Sequence, residues 1–249
     1  MSLKKPFIAV NHLEGHALSP KLNFNIKYPY LLFLISGGHT QYLTVKKLGD
    51  YKRLGTTIDD ALGEAFDKTA KLLNLGYPGG PKIEELARKG NENRFVLPKP
   101  ILNRGGSNLS FAGLKTAILR VKEFIKTDKD KNDLAASFQK TVLDILYKKT
   151  KKAIEQYLEL YPKNRTLVVA GGVAANKQIR INLKKLCQDE KFKIFFPDLK
   201  LCTDNAAMIA LAGLERYKKK KFDKHNFEAN PRWQLDNKAK FLKGAGVEI

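Results

Sequence analysis

Two histidines near the start of the chain, His12 and His16, have the spacing of a metal-binding pair. The whole sequence contains only four histidines. On a helix, side chains four residues apart lie one turn apart on the same face, so both imidazoles can face one ion. Sites that use two histidines commonly take a carboxylate as the third ligand. The alternative is two unrelated surface histidines, because H-x-x-x-H alone is a weak motif.

A candidate third ligand, Asp204, lies far downstream in Leu201-Cys202-Thr203-Asp204-Asn205. A His-His-Asp set leaves open coordination positions, and such a site acts as a Lewis acid or orients a substrate. The alternative role of Asp204 is the N-cap of the helix that follows. Cys202 has no evident base beside it, so nucleophilic cysteine chemistry is a weaker alternative.

Two glycine turns are candidate ligand sites. Ser36-Gly37-Gly38-His39 joins two predicted strands, and its consecutive N–H groups can form an anion nest in which His39 donates to a phosphate. An ordinary hairpin turn that needs positive φ is an equal alternative. Residues 170–176, AGGVAAN, follow a strand at the edge where open α/β sheets bind ligands. They do not match G-x-G-x-x-G, so a dinucleotide fingerprint is not supported.

Further polar and glycine residues lie between these turns. Asp67 follows Glu64 on a predicted helix and can point toward a ribose or hydroxyl, whereas Glu64 and Lys68 form an i,i+4 pair. The Pro-Gly-Gly-Pro run at 78–81 either lets backbone approach a ligand or simply turns the chain.

Hydrophobic patterning predicts the elements that must position these residues. A strand over 7–10 leads into the histidine helix, which Pro20 bounds, and three strands then form an antiparallel meander. A helix follows with Asp59 or Asp60 in its first turn, and another begins at Thr203 or Asp204. The predicted strands lie at 31–35, 40–45, 51–56, 166–170 and 194–196. The predicted helices lie at 59–73, 113–126, 133–160 and 204–217, with a short helix that ends at Lys89 and another that residues 171–176 open. This α/β layout is typical of one ribonuclease-H-like half of an actin-like fold.

The charge balance points to a polyanionic partner. The net charge is +21 and the isoelectric point is about 9.8, which suits nucleic acid, although lysines scattered over helices are the alternative. The run Lys218–Lys221 is either a solvated face or a contact to a phosphate backbone. No apolar run is long enough to span a membrane, and no signal core follows Met1-Ser2-Leu3-Lys4-Lys5-Pro6. The two cysteines lack disulfide spacing, so the sequence predicts a cytoplasmic protein.

The motifs stand together in an order that resembles the tRNA N6-adenosine threonylcarbamoyltransferase (TsaD) family, formerly described as O-sialoglycoprotein endopeptidases. The resemblance runs from about Pro6 to Trp233. Its motifs are HLEGH at 12–16, LISGGHTQ at 34–41, IDDA at 58–61, GEAFDK at 63–68, YPGGP at 77–81, FAGLKT at 111–116, AGGVAAN at 170–176 and CTDN at 202–205.

The resemblance implies an actin-like fold with two lobes around a cleft. It divides the chain into 1–27, a remnant of the first lobe with the metal-binding helix, 28–203, the complete second lobe, and 204–249, a helix and tail that pack back toward the first lobe. Family members carry a further segment before the histidine helix, so the first lobe is expected to be largely missing. We expect such a chain to be poorly active alone and to expose apolar surface.

The resemblance also implies the reaction and its residues. The threonylcarbamoyl group moves from threonylcarbamoyl-AMP to N6 of adenosine 37 in tRNAs that read ANN codons. His12, His16 and Asp204 match the ligands of one Fe²⁺ or Zn²⁺, and no catalytic residue is certain, with Asp67 and His39 as candidates. The expected partners are tRNA, a TsaB-like paralogue and a TsaE-like ATPase, without a membrane. The positions that match adenylate contacts are Leu34, Ile35, Ser36, Gly37, Gly38, Asp67, Gly80 and Asn176.

Two alternatives from other functional classes accompany the transferase hypothesis. One is a non-catalytic fragment that binds tRNA or a paralogue. The other is a zinc peptidase, for which Glu14 is the candidate general base within the histidine pair. Because H-x-E-x-H is not the H-E-x-x-H order of zinc peptidases, the peptidase is disfavoured.

Overall fold

A five-stranded mixed sheet forms the centre of the computed structural model, which describes residues 5–240, 242–243 and 247–248. The strand order is β3-β2-β1-β4-β5. The first three strands are antiparallel, whereas β4 runs parallel to β1 and β5 parallel to β4. The strands are β1 (Tyr30–Ile35), β2 (Thr40–Lys47), β3 (Asp50–Thr56), β4 (Thr166–Ala170) and β5 (Lys193–Phe195).

Helices cover both faces of this sheet. The longest of them, α5, is capped by Thr127, whose side chain accepts a hydrogen bond from the Asp130 N–H. A short antiparallel pair of strands, β6 (Leu242–Lys243) and β7 (Val247–Glu248), lies near the end of the described residues. The helices are α1 (His12–Leu18), α2 (Leu62–Leu72), α3 (Gly79–Ala87), α4 (Ala112–Val121), α5 (Asp128–Leu160), α6 (Lys177–Asp189) and α7 (Ala206–Lys218), with 3₁₀ turns at Ser19–Leu22, Lys122–Phe124, Gly172–Ala175 and Leu199–Leu201.

The central strand β1 is buried along its whole length, which explains its continuous apolar sequence. Its alternate side chains enter two different cores. Leu31, Phe33 and Ile35 pack on the side of α5, while Leu32 and Leu34 pack on the side of α1. The predicted apolar stripe of α5 is confirmed as core, namely Leu134, Phe138, Val142, Ile145 and Leu146. The predicted meander and the two later strands are confirmed as well.

Several predicted element boundaries are wrong. The strand predicted at 7–10 is only an isolated bridge between Phe7 and Asp223, without further ladder pairing. Helix α2 begins at Leu62 rather than at Asp59, because the Asp59 carboxylate accepts hydrogen bonds from Ser110 Oγ and the N–H groups of Phe111 and Ala112 at the start of α4. Helix α7 begins at Ala206 instead of Thr203 or Asp204, because the Asn205 side chain caps it. Helix α5 begins at Asp128 rather than at Asp133, because Thr127 and Asp130 form a capping box, and α4 ends at Val121 rather than at Lys126.

Two other predictions are only partly covered by the described residues. Met1 to Lys4 of the N-terminal segment, for which the sequence predicts no signal core, lie outside the described residues. Within the described part of the chain, no helix is both long enough and apolar enough to cross a membrane.

Candidate metal centre and ligand cavity

Helices α1 and α7 bring the predicted histidine pair and the predicted aspartate together. Asp204 Oδ1 lies 2.9 Å from His16 Nε2 and 3.3 Å from His12 Nε2. The two rings meet edge to face with their centroids 4.9 Å apart, and one ligand atom from each residue falls within 4.8 Å of the others. His16 is only 3% exposed at its side chain, whereas His12 and Asp204 are open at 54% and 75%.

Side-chain caps and one glycine create this convergence. The Asn11 side chain caps α1 by accepting hydrogen bonds from the N–H groups of Leu13 and Glu14. A Cβ on Gly15 would lie only 3.0 Å from Cδ1 of Ile209 on α7, so glycine allows the two helices to pack closely. Helix α7 is capped by Asn205, whose Oδ1 accepts from the Met208 N–H. Asp204 is therefore not the N-cap and its carboxylate is free to face the histidines.

The donor set fits a divalent metal. Burial, followed by the neighbouring His12, lowers the pKa of His16, while Asp204 opposes that shift. The lowered pKa favours the neutral imidazole, which is the form that binds metals. Nδ1 of His16 is buried without a hydrogen-bond partner among the described residues. The polar contact of this ring is therefore made by Nε2, which faces Asp204. Two imidazoles and one carboxylate suit iron or zinc.

Glu14, between the two histidines, points away from this cluster. Its carboxylate accepts hydrogen bonds from Tyr51 Oη at 2.9 Å and from Arg216 Nε at 2.6 Å. The Glu14 side chain is 1% exposed. A peptidase base must reach a water at the metal, so this geometry removes the candidate on which the peptidase hypothesis depended.

The turn after β1 presents open backbone beside the metal cluster. Neither Gly37 nor Gly38 has a positive φ, so the alternative that this turn requires left-handed glycines is wrong. A Cβ at either position would meet nothing within 4 Å. Ser36 closes the turn, because its N–H donates to the His39 carbonyl and its Oγ accepts from the His39 N–H. The pKa of His39 is lowered by desolvation and then by the charges of His12 and His16.

Helix α2 packs its first turn directly on this glycine turn. The Gly63 N–H donates to the Ser36 carbonyl at 3.3 Å. A Cβ on Gly63 would lie 2.7 Å from that oxygen and 2.8 Å from Gly37 Cα, so only glycine permits this approach. The positive end of the α2 dipole therefore lies beside the turn.

One cavity of about 1300 Å³ contains both the metal cluster and the glycine turn. The predicted residues that line it are His12, His16, Ser36, Gly37, Gly38, His39 and Asp204. Phe7, Tyr77 and Phe227 add exposed apolar side chains to the walls. The arrangement can hold a cation and an anionic group side by side.

The other predicted adenylate residues do not line this cavity. Leu34 and Ile35 are fully buried in β1, so only their backbone can support the turn that follows. Asp67 Oδ1 accepts a hydrogen bond from the Gly79 N–H, which places Asp67 at the start of α3, and Gly80 lies in the first turn of the same helix. Asn176 caps α6 through the Ile179 N–H and donates to Gln139 Oε1.

In the second predicted glycine turn, Gly172 lines the cavity, whereas Gly171, at φ +98°, faces the Ile35 carbonyl, which any Cβ would meet. Three cavity residues were not predicted from the sequence. Arg53, Arg232 and Trp233 also line the cavity, and the Trp233 carbonyl accepts from Asn11 Nδ2 at 2.8 Å. Asn directly before the histidine helix was the available signal for a cap. No local pattern links residues more than two hundred positions apart.

Cys202 behaves as a buried structural residue. Its thiol is fully buried, burial raises its pKa, and Arg180 Nη2 lies 3.2 Å from its sulfur. A thiol with a raised pKa is a poor nucleophile at neutral pH. The cysteine alternative is thus disfavoured by the structure.

Comparison with known proteins decides the family. The family model for TsaD, tRNA N6-adenosine threonylcarbamoyltransferase, matches residues 1–211. The chain belongs to this family. The Pelagibacter ubique member is 64% identical over 249 residues, which are 100% of this chain and 70% of that protein. The Roseobacter denitrificans member is 50% identical over 97% of this chain and 68% of its own length.

Solved structures support the fold alone. Full-length HypF, described in its phosphate- and nucleotide-bound form, matches 88% of this chain and 37% of its own with a TM-score of 0.62 at 15% identity. The HypF of T. kodakarensis gives a TM-score of 0.58 at 17% identity over 84% of this chain and 37% of its own. Together with the family and the mixed five-stranded sheet, these likenesses confirm the predicted actin-like α/β class.

Proposed function

We propose that this chain catalyses the reaction for which its family is named, with the shared cavity as the active site. The observation that carries the proposal is that His12, His16 and Asp204 line the same cavity as the Ser36–His39 turn. One side of the cavity suits a cation and the other suits an anion. A substrate with a phosphate next to a reactive carbonyl, as in threonylcarbamoyl-AMP, matches this pair of features.

The glycine turn is proposed to hold the adenylate phosphate. Gly37 and Gly38 leave their backbone open to the cavity, and the N-terminus of α2 adds partial positive charge behind them. Three further residues match adenylate-binding positions of the family and lie at the starts of two neighbouring helices. Asp67 and Gly80 are at the start of α3, and Asn176 caps α6.

His12, His16 and Asp204 are proposed to hold one Fe²⁺ or Zn²⁺. When bound, such an ion supplies Lewis-acid stabilisation of the negative charge that develops on the substrate. The protein contributes the position of the ligands, because the α1–α7 packing and the Asn205 cap fix Asp204 against the histidines.

The transfer needs a proton acceptor but no protein nucleophile. The N6 amine of the tRNA adenosine forms the new bond to the carbamoyl carbon, the bond from that carbon to the phosphate oxygen breaks, and AMP leaves. The amine also loses a proton. Of the two candidates, His39 lines the cavity and its lowered pKa favours the neutral imidazole, which can accept a proton, whereas Asp67 is engaged at α3. We assign the proton acceptor role to His39.

The finer features of this function come from the family resemblance. They are adenosine 37 of tRNAs that read ANN codons as the acceptor, a TsaB-like paralogue and a TsaE-like ATPase as partners, and the cytoplasm as the location. The net charge of +21 supports a polyanionic substrate such as tRNA.

The proposal is tested by a substitution that removes one metal ligand and leaves the protein folded. Asp204→Asn should abolish stoichiometric metal, measured by elemental mass spectrometry, and lower the yield of threonylcarbamoyladenosine by at least a hundredfold. Asp198→Asn is the matched control, because this exposed residue lies outside the cavity and its carboxylate, among the described residues, bonds only Asn23. Full product from metal-free Asp204→Asn would overturn the assignment. Normal tRNA binding without product from wild-type chain and partners would favour a binding module instead.

A further inference from the structure

We propose that lysines from the β2–β3 hairpin and from the end of α7 form one surface that docks the phosphate backbone of the tRNA substrate. This hairpin–α7 surface consists of Lys46, Lys47, Lys219, Lys220 and Lys221, all of them exposed. The inference rests on the proposed function in one respect, since it takes the polyanion to be tRNA.

The hairpin turn and the lysine run are in direct contact. A Cβ on Gly49, at φ +74°, would lie 3.0 Å from Nζ of Lys221, so this ammonium group sits over the turn. Beneath the turn, Leu48 is buried with Leu18 and Ala212 in a small core that joins the hairpin to α7. The turn at Gly49 and the lysine run therefore lie side by side, although about 170 positions separate them in the sequence.

The charges on this surface are largely uncompensated. Glu215 pairs with Lys218 at 3.1 Å, and the Asp223 carboxylate accepts a hydrogen bond from the Ala9 N–H. Asp50 is the remaining carboxylate at the turn and is partly buried. Within the part of the chain that the structure describes, Lys46, Lys47 and Lys219–Lys221 form no ion pair. Clustered free ammonium groups are the usual contacts to phosphates.

Two aromatic rings accompany the lysines. Tyr217 and Phe222 flank the run, are each about half exposed, and contact each other with ring centroids 5.8 Å apart. Exposed aromatic rings among cations offer stacking surfaces to unpaired bases. A merely solvated lysine face has no need of them, because exposing an aromatic ring to water is unfavourable.

The surface also adjoins the active-site cavity. The chain that leaves the lysine run reaches Asp223, whose N–H donates to the Phe7 carbonyl at 2.9 Å. Phe7 lines the cavity. An RNA that places a base in the cavity thus has backbone within reach of the hairpin–α7 surface, which favours RNA over an anionic membrane as the partner.

The test uses double charge reversals in the full chain. Lys46→Glu/Lys47→Glu and Lys219→Glu/Lys221→Glu are compared with Lys184→Glu/Lys185→Glu, which changes net charge equally on exposed positions of α6, beside the far edge of the sheet. Binding of an unmodified tRNA transcript is measured by filter retention at several salt concentrations. Circular dichroism verifies that each variant is folded.

Each variant of the surface should weaken tRNA binding at least tenfold and lower the slope of log K against log salt by about 2, since each phosphate contact contributes about 0.9. The α6 control should stay within about twofold of wild type. Equal losses in all three variants would show a general charge effect and overturn the proposal, as would wild-type binding to anionic lipid vesicles but not to tRNA. Because binding is measured without transfer, failure of the catalytic assignment would leave this result intact.

Discussion

Glu14 and Arg216 form an ion pair, with Arg216 Nε 2.6 Å from Glu14 Oε2, that ties the metal-binding helix α1 to the helix preceded by Asp204. Both partners are mostly buried, and Tyr51 Oη completes the pair from β3. The glutamate within the histidine motif thereby connects the two elements that must meet for the donor atoms to converge.

Glu14→Ala should destabilise the protein by about 3–5 kcal/mol, because it leaves the Arg216 guanidinium buried without its partner. Chemical denaturation measures the loss. Glu215→Gln, which breaks a surface pair with Lys218 on the same helix, should cost less than about 1 kcal/mol. If both substitutions cost the same, the buried pair does not hold α1 against α7.

Without metal, the stability of the protein should fall as the solution is acidified below about pH 6.5, which is the ordinary pKa of an imidazole. The pKa of His16 is lowered in the folded protein, so the unfolded chain takes up this proton at a higher pH and is stabilised relative to the folded protein as the pH drops. The loss continues until the pH passes the lowered pKa of the folded state. Thermal unfolding with a chelator, from pH 8 to pH 5, should show a steeper decline for wild type than for His16→Gln.

Gly63→Ala should impair the glycine turn more than the fold. The new methyl group would press on the Ser36 carbonyl and on Gly37, displacing the backbone proposed to hold the adenylate. We expect at least a tenfold rise in KM for threonylcarbamoyl-AMP. Gly213→Ala, where the Cβ meets only Val10 at 3.7 Å, should be neutral or slightly stabilising. An unchanged KM in Gly63→Ala would show that this turn does not take part in substrate binding.

The two asparagine caps should have different functional consequences. Asn176→Ala and Asn205→Ala each remove an N-cap and should each cost about 1 kcal/mol. Only Asn205→Ala should also weaken metal binding, because Asp204 directly precedes it. Metal titration together with urea denaturation measures both effects, and Asn205→Asp should recover the stability. Equal metal affinity in the two alanine variants would contradict this account of how Asp204 is positioned.

The sequence predicts the sheet well because its elements depend on local patterns. The unbroken apolar run of β1 is buried on both faces, and short turns require β1, β2 and β3 to be antiparallel neighbours. The His12–His16 pair and its aspartate are likewise brought together as predicted.

Boundaries and long-range partners were harder to predict. Aspartate is a residue type that favours the start of a helix, but the Asp59 side chain caps α4 instead of α2. The Glu14 carboxylate finds its partner more than two hundred residues away on α7. Such contacts depend on tertiary packing, which no window of local sequence contains.

Helix α7 sets a fixed interval on the protein surface. Asp204 precedes its first turn and the lysine run follows its last, so its 13 residues separate the two by about 20 Å at 1.5 Å per residue. An RNA engaged at both ends must present its reactive base and a backbone phosphate at that same span. Inserting one residue in α7 would also rotate the lysines by about 100° around the helix axis. In the proposed complex, helix α7 therefore sets the distance between the reactive base and the bound phosphate, which is a constraint on the shape of the RNA.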